Sequence, residues 1–509
     1  MAPDWARALS LTSLLPLSIP LLLFVWLFRS WEKQRHVPGP FLASITNLPR
    51  LGWAWSGKAH ETYISLHDKY GKLVRIGPNC VSVGDPHEIQ KIYGTGANMG
   101  KSDYYRVLQP MSRGKVVQGL FNTQDEKLHR AMKRPIAGIY SMSSLVEFEP
   151  YMDTTIRFFL GRLEEVQSRA GGDAAAGACD LGTWLQWFAF DVMGEITFSK
   201  RLGFLDETRD IDGIMGSIWK FFEYTSWAGQ MPWADKLWVK NRYLQRLLPE
   251  RNSPVVAFAL ARARERAGVS GDFEKTAASN YNSRDFMSRF LEARVKDPSI
   301  PEWFVTAWAT SNVLAGSDTT AIMLRAIIYF LLKHPASLEK LVAELEQARL
   351  ENRLSEIVTW KESRSLPYLD ACVKEAGRLH PAIGLSMERV VPKGGVELCG
   401  RHFTEGTVVG MNPWVIHRDK AVFGADADEW NPDRWLADKG QRVVMERCLL
   451  TFGSGHRTCI GKNISYLEIY KLIPTMFARY EMSLAGDWSV NNHWLVAQSG
   501  LRVRLSQRR

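Results

Sequence analysis

The chain has 509 residues, 46% of them hydrophobic and 23% charged, with a formal net charge of +10. Its six cysteines form neither a CxxC pair nor a dense framework, which excludes a disulfide scaffold and a cysteine zinc site and points to a reducing compartment. The basic balance comes with no nucleic-acid motif and no concentrated Lys/Arg run, so the partners expected are a membrane surface or an acidic redox protein, with no nucleic acid.

Leu11 to Phe28 is apolar apart from small hydroxyl residues, and includes Pro16 and Pro20. It is near the lower length limit for a spanning helix. Arg29, Lys33 and Arg35 follow it, against Arg7 alone before it, which places the downstream body on the cytoplasmic side. No small-x-small cleavage site follows, so residues 1–36 are expected to be an uncleaved membrane anchor with a basic flank. The two prolines leave a re-entrant or interfacial course open. Val37-Pro38-Gly39-Pro40 then stiffens the chain into a hinge, and residues 37–509 form one body without a dividing linker.

His60 to Tyr70 reads as a helix ended by Gly71. Leu73–Ile76 and Cys80–Val83 alternate around Gly77-Pro78-Asn79 as a β-hairpin. Asp85-Pro86 caps a short helix, His87 to Tyr93. Gly94 to Phe121 is irregular, with Tyr104 and Tyr105 inside it, and loops of that length are usually functional. Asp125 to Ile139 is expected to be a helix bearing His129, Arg130, Lys133 and Arg134. Pro150 to Val166 and Leu181 to Phe198 follow as helices, the second apolar on most faces and therefore buried. After a helix from Ile211 to Trp227, Trp233, Trp238 and Lys240 interleave as they would at a membrane interface. Gly268 to Ser283 reads as a surface loop.

Glu302 to Leu332 is a helical run of about 46 Å, long enough to cross a whole core. Ala315-Gly316-Ser317-Asp318-Thr319-Thr320 interrupts it with residues that cost helix propensity. Ala315-Gly316 removes bulk where a flat group could press on the backbone, and Asp318 and Thr319 offer an acid and an alcohol beside it. Tyr368 to Leu379 is a helix with Glu375 and Arg378 on one face. Met387–Val391 and Thr407–Gly410 read as strands, and His417 as a structural histidine.

Phe452-Gly453-Ser454-Gly455-His456-Arg457-Thr458-Cys459-Ile460-Gly461 then sets one cysteine in a glycine-rich loop before an apolar helix. Glycines let the backbone approach a flat, bulky group. A helix N-terminus and the cations Arg457 and His456 favour a thiolate there. That is the environment of a thiolate bound axially to haem iron.

The spacing Phe-x-x-Gly-x-x-x-Cys-x-Gly resembles the haem loop of cytochrome P450 enzymes, and the Ala-Gly-x-Asp-Thr-Thr helix and Glu-x-x-Arg helix precede it in that family's order. Glu388-Arg389-Val390-Val391-Pro392 and His417-Arg418-Asp419 resemble fungal microsomal members similar to pisatin demethylase and benzoate 4-monooxygenase. The resemblance implies a mostly α fold with a small β region and a haem b whose iron is ligated by Cys459. It implies that Phe452 and Gly461 shape the haem loop, and that Lys133, Arg389 and Arg457 hold the haem carboxylates. The family has Trp-x-x-x-Arg where this chain has His129-x-x-x-Lys133, which leaves Lys133 and Arg134 unseparated. Asp318 and Thr319 would deliver protons during dioxygen activation. Glu375 and Arg378 would form a buried triad with Arg434, and Ala382 to Ser386, with Gln498 more weakly, would line the pocket.

The function implied is a monooxygenase at the endoplasmic reticulum membrane, acting on an apolar small molecule of fungal secondary metabolism. Its electrons would come from NADPH-cytochrome P450 reductase, because no flavin or dinucleotide motif is present. Two rivals are a haem-thiolate isomerase or dehydratase that does not use dioxygen, and a haem-binding sensor without turnover. The intact Asp318-Thr319 pair argues against both.

Overall fold

The helix Glu302–Lys333 crosses the centre of the molecule, in a computed structural model that describes residues 21, 24–25, 27–112, 115–169, 178–241, 243–244, 256–261 and 285–508. Its length and hydropathy would also suit a membrane span, but most of it is buried inside the protein. It is a core helix. Pro301 enters it in extended geometry, and His334-Pro335 closes it. The helices Leu181–Phe198, Lys462–Arg479 and Pro367–Leu379 pack around it, and Glu149–Arg169 lies behind the first of these. Leu181–Phe198 is buried on nearly every face, as its uniform apolarity requires.

A five-stranded sheet flanks the helical core. Its order is Leu73–Gly77, Cys80–Val83, Val408–Gly410, Arg389–Val390, Gly100–Lys101. Cys80–Val83 runs parallel to Val408–Gly410, and the other neighbours are antiparallel. A smaller sheet joins Tyr480–Leu484, Arg502–Gln507 and Ala178–Asp180, and Ser489–His493 pairs with Leu495–Ser499 as a hairpin. The architecture is therefore mostly α with a small β region.

Several expectations change in detail. The helix expected over Asp125 to Ile139 ends at Lys133, because Pro135 cannot continue the ladder, and a 3-10 turn follows at Ala137–Tyr140. His87 to Tyr93 divides into a 3-10 turn, Pro86–Glu88, and a short helix, Ile89–Tyr93. The loop from Gly94 holds short strands and the helix Tyr104–Val107, and both tyrosines point inward.

Most of the expected anchor, Leu11 to Phe28, lies outside the described residues, as does Gly268 to Ser283. Residues 27–33 are helical, and Phe28 and Trp31 are exposed. The hinge that follows is docked on the sheet. Pro38 carbonyl accepts from the Arg75 amide at 2.7 Å. The Arg75 guanidinium donates to the carbonyls of Trp31 at 2.8 Å, Ser44 at 3.0 Å and Pro78 at 2.9 Å.

Candidate active site

The cysteine loop is tied at its neck. Phe452 carbonyl accepts from the Cys459 amide at 2.9 Å and from the Thr458 hydroxyl at 3.1 Å. Gly453 and Gly455 both sit at φ +69, and a Cβ on Gly455 would fall 1.7 Å from the Tyr93 carbonyl oxygen, so only glycine fits there. The Phe452 ring packs edge-on against Tyr466 at 5.0 Å, and the backbone of Gly461 passes beside the sulfur. Among the six cysteines, Cys459 alone is exposed, although protein surrounds it deeply on all sides. Its sulfur therefore faces open space inside the protein. Burial pushes the thiol up, while the amides of Gly461 and Lys462 and the cations Lys462 and Lys133 pull it down.

Cations converge beside this loop. Lys133 donates to the His456 carbonyl at 2.7 Å, whereas Arg134 is exposed, which separates the two. Arg457 is buried and pairs with Glu126 at 2.7 Å. Arg389 donates to the Glu388 carbonyl at 2.8 Å and lies over the Tyr93 ring. Lys101 was not foreseen from the sequence. It stands directly opposite Arg389 in the sheet register, its ammonium 4.1 Å from the Tyr105 ring centre and 4.3 Å from that of Phe121.

Burial drives the Lys101 pKa well below its ordinary value, and Arg389 and Arg457 add repulsion. Lys133 is lowered by burial and by Arg457. Burial would raise the Glu126 carboxyl, but Arg457 holds it below the usual range. His129 is pushed down to about 3, by burial and then Arg457, so it remains a neutral donor or acceptor. Arg457 pairs with Glu126, which also acts on Lys101, while Lys133 and Arg389 donate to backbone carbonyls. A buried excess of positive charge calls for an anion. The two carboxylates of a haem would supply it and the accessible thiol would ligate its iron, so the donor set fits that group.

The long helix presents the next wall. Ala315 is exposed on a helix that is otherwise mostly buried, and so faces interior space. Thr319 hydroxyl donates to the Ala315 carbonyl at 2.6 Å. Gly316 does not share this wall. A Cβ there would fall 2.6 Å from Met193 Sδ, so this glycine serves close packing against Leu181–Phe198. Asp318 is buried, and its Oδ1 accepts from Gln186 at 2.5 Å. Burial raises its pKa to about 6. Thr320 shares a 2.9 Å hydrogen bond with Ser465, which couples this wall to the helix that follows Cys459.

Behind the loop lies a buried frame. Arg378 meets Glu375 through Nε at 2.8 Å and Nη2 at 2.7 Å, and Arg434 Nε reaches the same carboxylate at 3.0 Å. Trp435 Nε1 and the Asn431 amide, both at 2.9 Å, complete its shell. Ala382 to Ser386 runs beside the C-terminal hairpin, where Gly384 amide donates to Trp494 carbonyl at 2.9 Å. Tyr104 stacks on Trp494 at 5.0 Å, and Tyr105 and Phe121 join that cluster. Gln498 lies in a strand and turns to the long helix, donating to the Ile322 carbonyl at 3.0 Å.

The family model for cytochrome P450 matches residues 37–498. A "Cytochrome P450 monooxygenase" of Aspergillus terreus is 50% identical over 481 residues, covering 93% of this chain and 96% of the relative. "Cytochrome P450 monooxygenase cicH" of Emericella nidulans is 49% identical, covering 95% and 96%. "Cytochrome P450 monooxygenase mpaDE" of Penicillium brevicompactum is 42% identical, covering 98% of this chain and 58% of that longer protein.

Proposed function

The chain belongs to the cytochrome P450 family and is a monooxygenase with a cysteine-ligated haem iron, and from that premise we propose that Cys459 is the ligand and that Lys133, Arg389, Arg457 and Lys101 hold the haem carboxylates. The observation that carries this reading is the Cys459 sulfur, accessible yet deep, beside a cluster of cations that outnumbers its carboxylates.

Bound haem supplies dioxygen activation and the insertion of one oxygen atom into a substrate C–H bond. The chain's residues do the rest. Gly461 and Lys462 amides stabilise negative charge on the sulfur. Lys101, Arg389 and Arg457 orient the cofactor through its carboxylates. Asp318 holds a proton at a carboxyl poised near neutrality, and Thr319 passes it along the wall at Ala315. Tyr104, Tyr105, Phe121 and Trp494 form one aromatic cluster next to Lys101, and such rings favour an apolar substrate.

Two electrons per turnover come from NADPH-cytochrome P450 reductase. Residues 1–36 anchor the body, residues 37–509, to the endoplasmic reticulum membrane with its active face cytoplasmic. Exposed Phe41, Leu42, Leu48 and Trp55, with Trp233 and Trp238, support a membrane-resting face, since Trp55 meets Trp227 at 5.5 Å and brings the two groups together. The substrate is an apolar intermediate of fungal secondary metabolism.

The test is the absorption spectrum of dithionite-reduced protein under carbon monoxide. Wild type is expected to give the strongly red-shifted Soret band of thiolate ligation, and Cys459→Ala to lose it. A histidine-type spectrum in folded wild-type protein overturns the reading. Reductase-dependent product formation then tests the electron source.

A further inference from the structure

Asp318 and Arg325 lie seven residues apart on the long helix, two turns along one face. Gln186, from Leu181–Phe198, reaches between them. Its Nε2 donates to Asp318 Oδ1 at 2.5 Å, and its Oε1 accepts from Arg325 Nη2 at 2.7 Å. All three side chains are buried. The amide's orientation follows from its neighbours: a carboxylate can only accept here, and a guanidinium can only donate.

Arg325 spends its other donors on neutral partners, the carbonyls of Gly182 at 2.8 Å and Gln498 at 3.4 Å. Asp318 Oδ2 is buried with no partner among the described residues. A buried cation and a buried acid are therefore joined through one neutral amide and do not touch.

We infer that Gln186 and Arg325 are positioning residues for Asp318: Gln186 fixes the carboxyl through Oδ1, leaves Oδ2 free to exchange a proton, and transmits the Arg325 charge without closing an ion pair. This rests on the reading that Asp318 carries protons. A direct Asp–Arg pair would hold the carboxylate ionised and poorly able to take up a proton. With no cation nearby, the buried acid would resist losing one. The amide places it between these limits. The other charged group acting on Asp318 is Asp210, which raises its pKa, while Arg325 and the Gln186 hydrogen bond lower it. Asp180 acts on Arg325.

Only a side chain with a donor at one end and an acceptor at the other can hold this bridge. Gln186→Glu sets carboxylate against carboxylate and gives Arg325 a direct partner. Gln186→Leu removes both bonds at similar length.

The experiment uses the full-length haem protein and follows the protonated-carboxyl infrared band of Asp318 in the resting state across pH, assigned by its loss in Asp318→Asn. Wild type is expected to titrate near 6, and both Gln186 variants at higher pH. With reductase and a turned-over substrate, the share of NADPH electrons recovered as product is expected to fall about tenfold or more in both, with substrate-binding spectra unchanged. An unshifted infrared midpoint in either variant that keeps the red-shifted carbon monoxide band overturns the inference. If Gln186→Leu does not fold, Gln186→Glu and Arg325→Gln decide it by the same two readouts. If Asp318→Asn itself leaves proton-dependent turnover and coupling unchanged, the parent reading of Asp318 fails. If Asp318→Asn uncouples the enzyme and the Gln186 variants do not, only this inference fails.

Discussion

His417 Nε2 accepts the amide hydrogen of Leu450 at 2.7 Å, two residues before Phe452 opens the cysteine loop. Its other nitrogen donates to the Arg378 carbonyl at 2.9 Å. Thr451 hydroxyl adds a parallel tie, donating to the Gly377 carbonyl at 2.9 Å. The helix that carries Glu375 and Arg378 is thus tied by hydrogen bonds to the irregular segment leading to Cys459. That explains how a buried charged triad can set the position of the loop that carries Cys459.

His417→Phe should leave the Leu450 amide unsatisfied and loosen the loop. The expected result is a carbon monoxide difference spectrum in which part of the red-shifted band is replaced by one at shorter wavelength, increasing on mild heating. Burial lowers the His417 pKa to about 3, and likewise His380 to about 3 and His60 to about 4. These imidazoles are neutral in the fold but take up protons near 6.5 once unfolded. Their contribution is present above about 6.5 and is lost as pH falls from there toward about 3. Melting temperature against pH checks this, with His380→Gln expected to flatten part of the slope.

Glu375→Gln and Arg378→Lys each break a buried charge network. The cost expected for Glu375→Gln is about 3–5 kcal/mol, because Arg378 and Arg434 are left without their carboxylate. Arg378→Lys is not a mild change, since the guanidinium also serves the carbonyls of His417 at 2.8 Å and Glu429 at 2.9 Å. Denaturant unfolding followed by haem absorbance and by tryptophan fluorescence measures the loss.

Glu468 lies on the helix after Cys459, with both carboxyl oxygens buried and without partners among the described residues. Burial raises its pKa well above 4.5. The folded state keeps this proton while the unfolded chain releases it, so stability falls as pH rises from about 4.5 toward the folded value. Glu468→Gln should remove that decline. The variant is expected to melt higher than wild type at alkaline pH and to match it near pH 4.

Lys133 and Arg134 are adjacent in sequence and should differ in effect. Lys133→Ala removes the cation that reaches the His456 carbonyl, so haem transfer to an acceptor apoprotein should be several times faster. Arg134→Ala, at an exposed position, should leave that rate unchanged. Equal effects would show that general basicity, and not this contact, retains the cofactor.

The sequence by itself determined what lies within one element. A long helical run between Pro301 and His334-Pro335 marked the long helix, residue spacing marked Ala315 to Thr320 and Glu375 with Arg378, and glycines marked the loop around Cys459. Each of these is set by local backbone geometry, so a window of about ten residues carries the signal. The helix expected to reach Ile139 instead stops at Lys133, before Pro135, a stop signal that the expectation passed over.

The tertiary structure decided every relation between elements. Lys101 meets Arg389 only because two strands distant in the chain share one register. Gly316 faces Met193, and not the interior space beside Ala315, because the rotation of one helix against another is set by packing of the whole core. Gln186 joins Asp318 to Arg325 across the same contact. Helical periodicity shows which residues share a face, but it does not show which neighbour that face will meet. That choice comes from burying many surfaces at once, and no local window contains it.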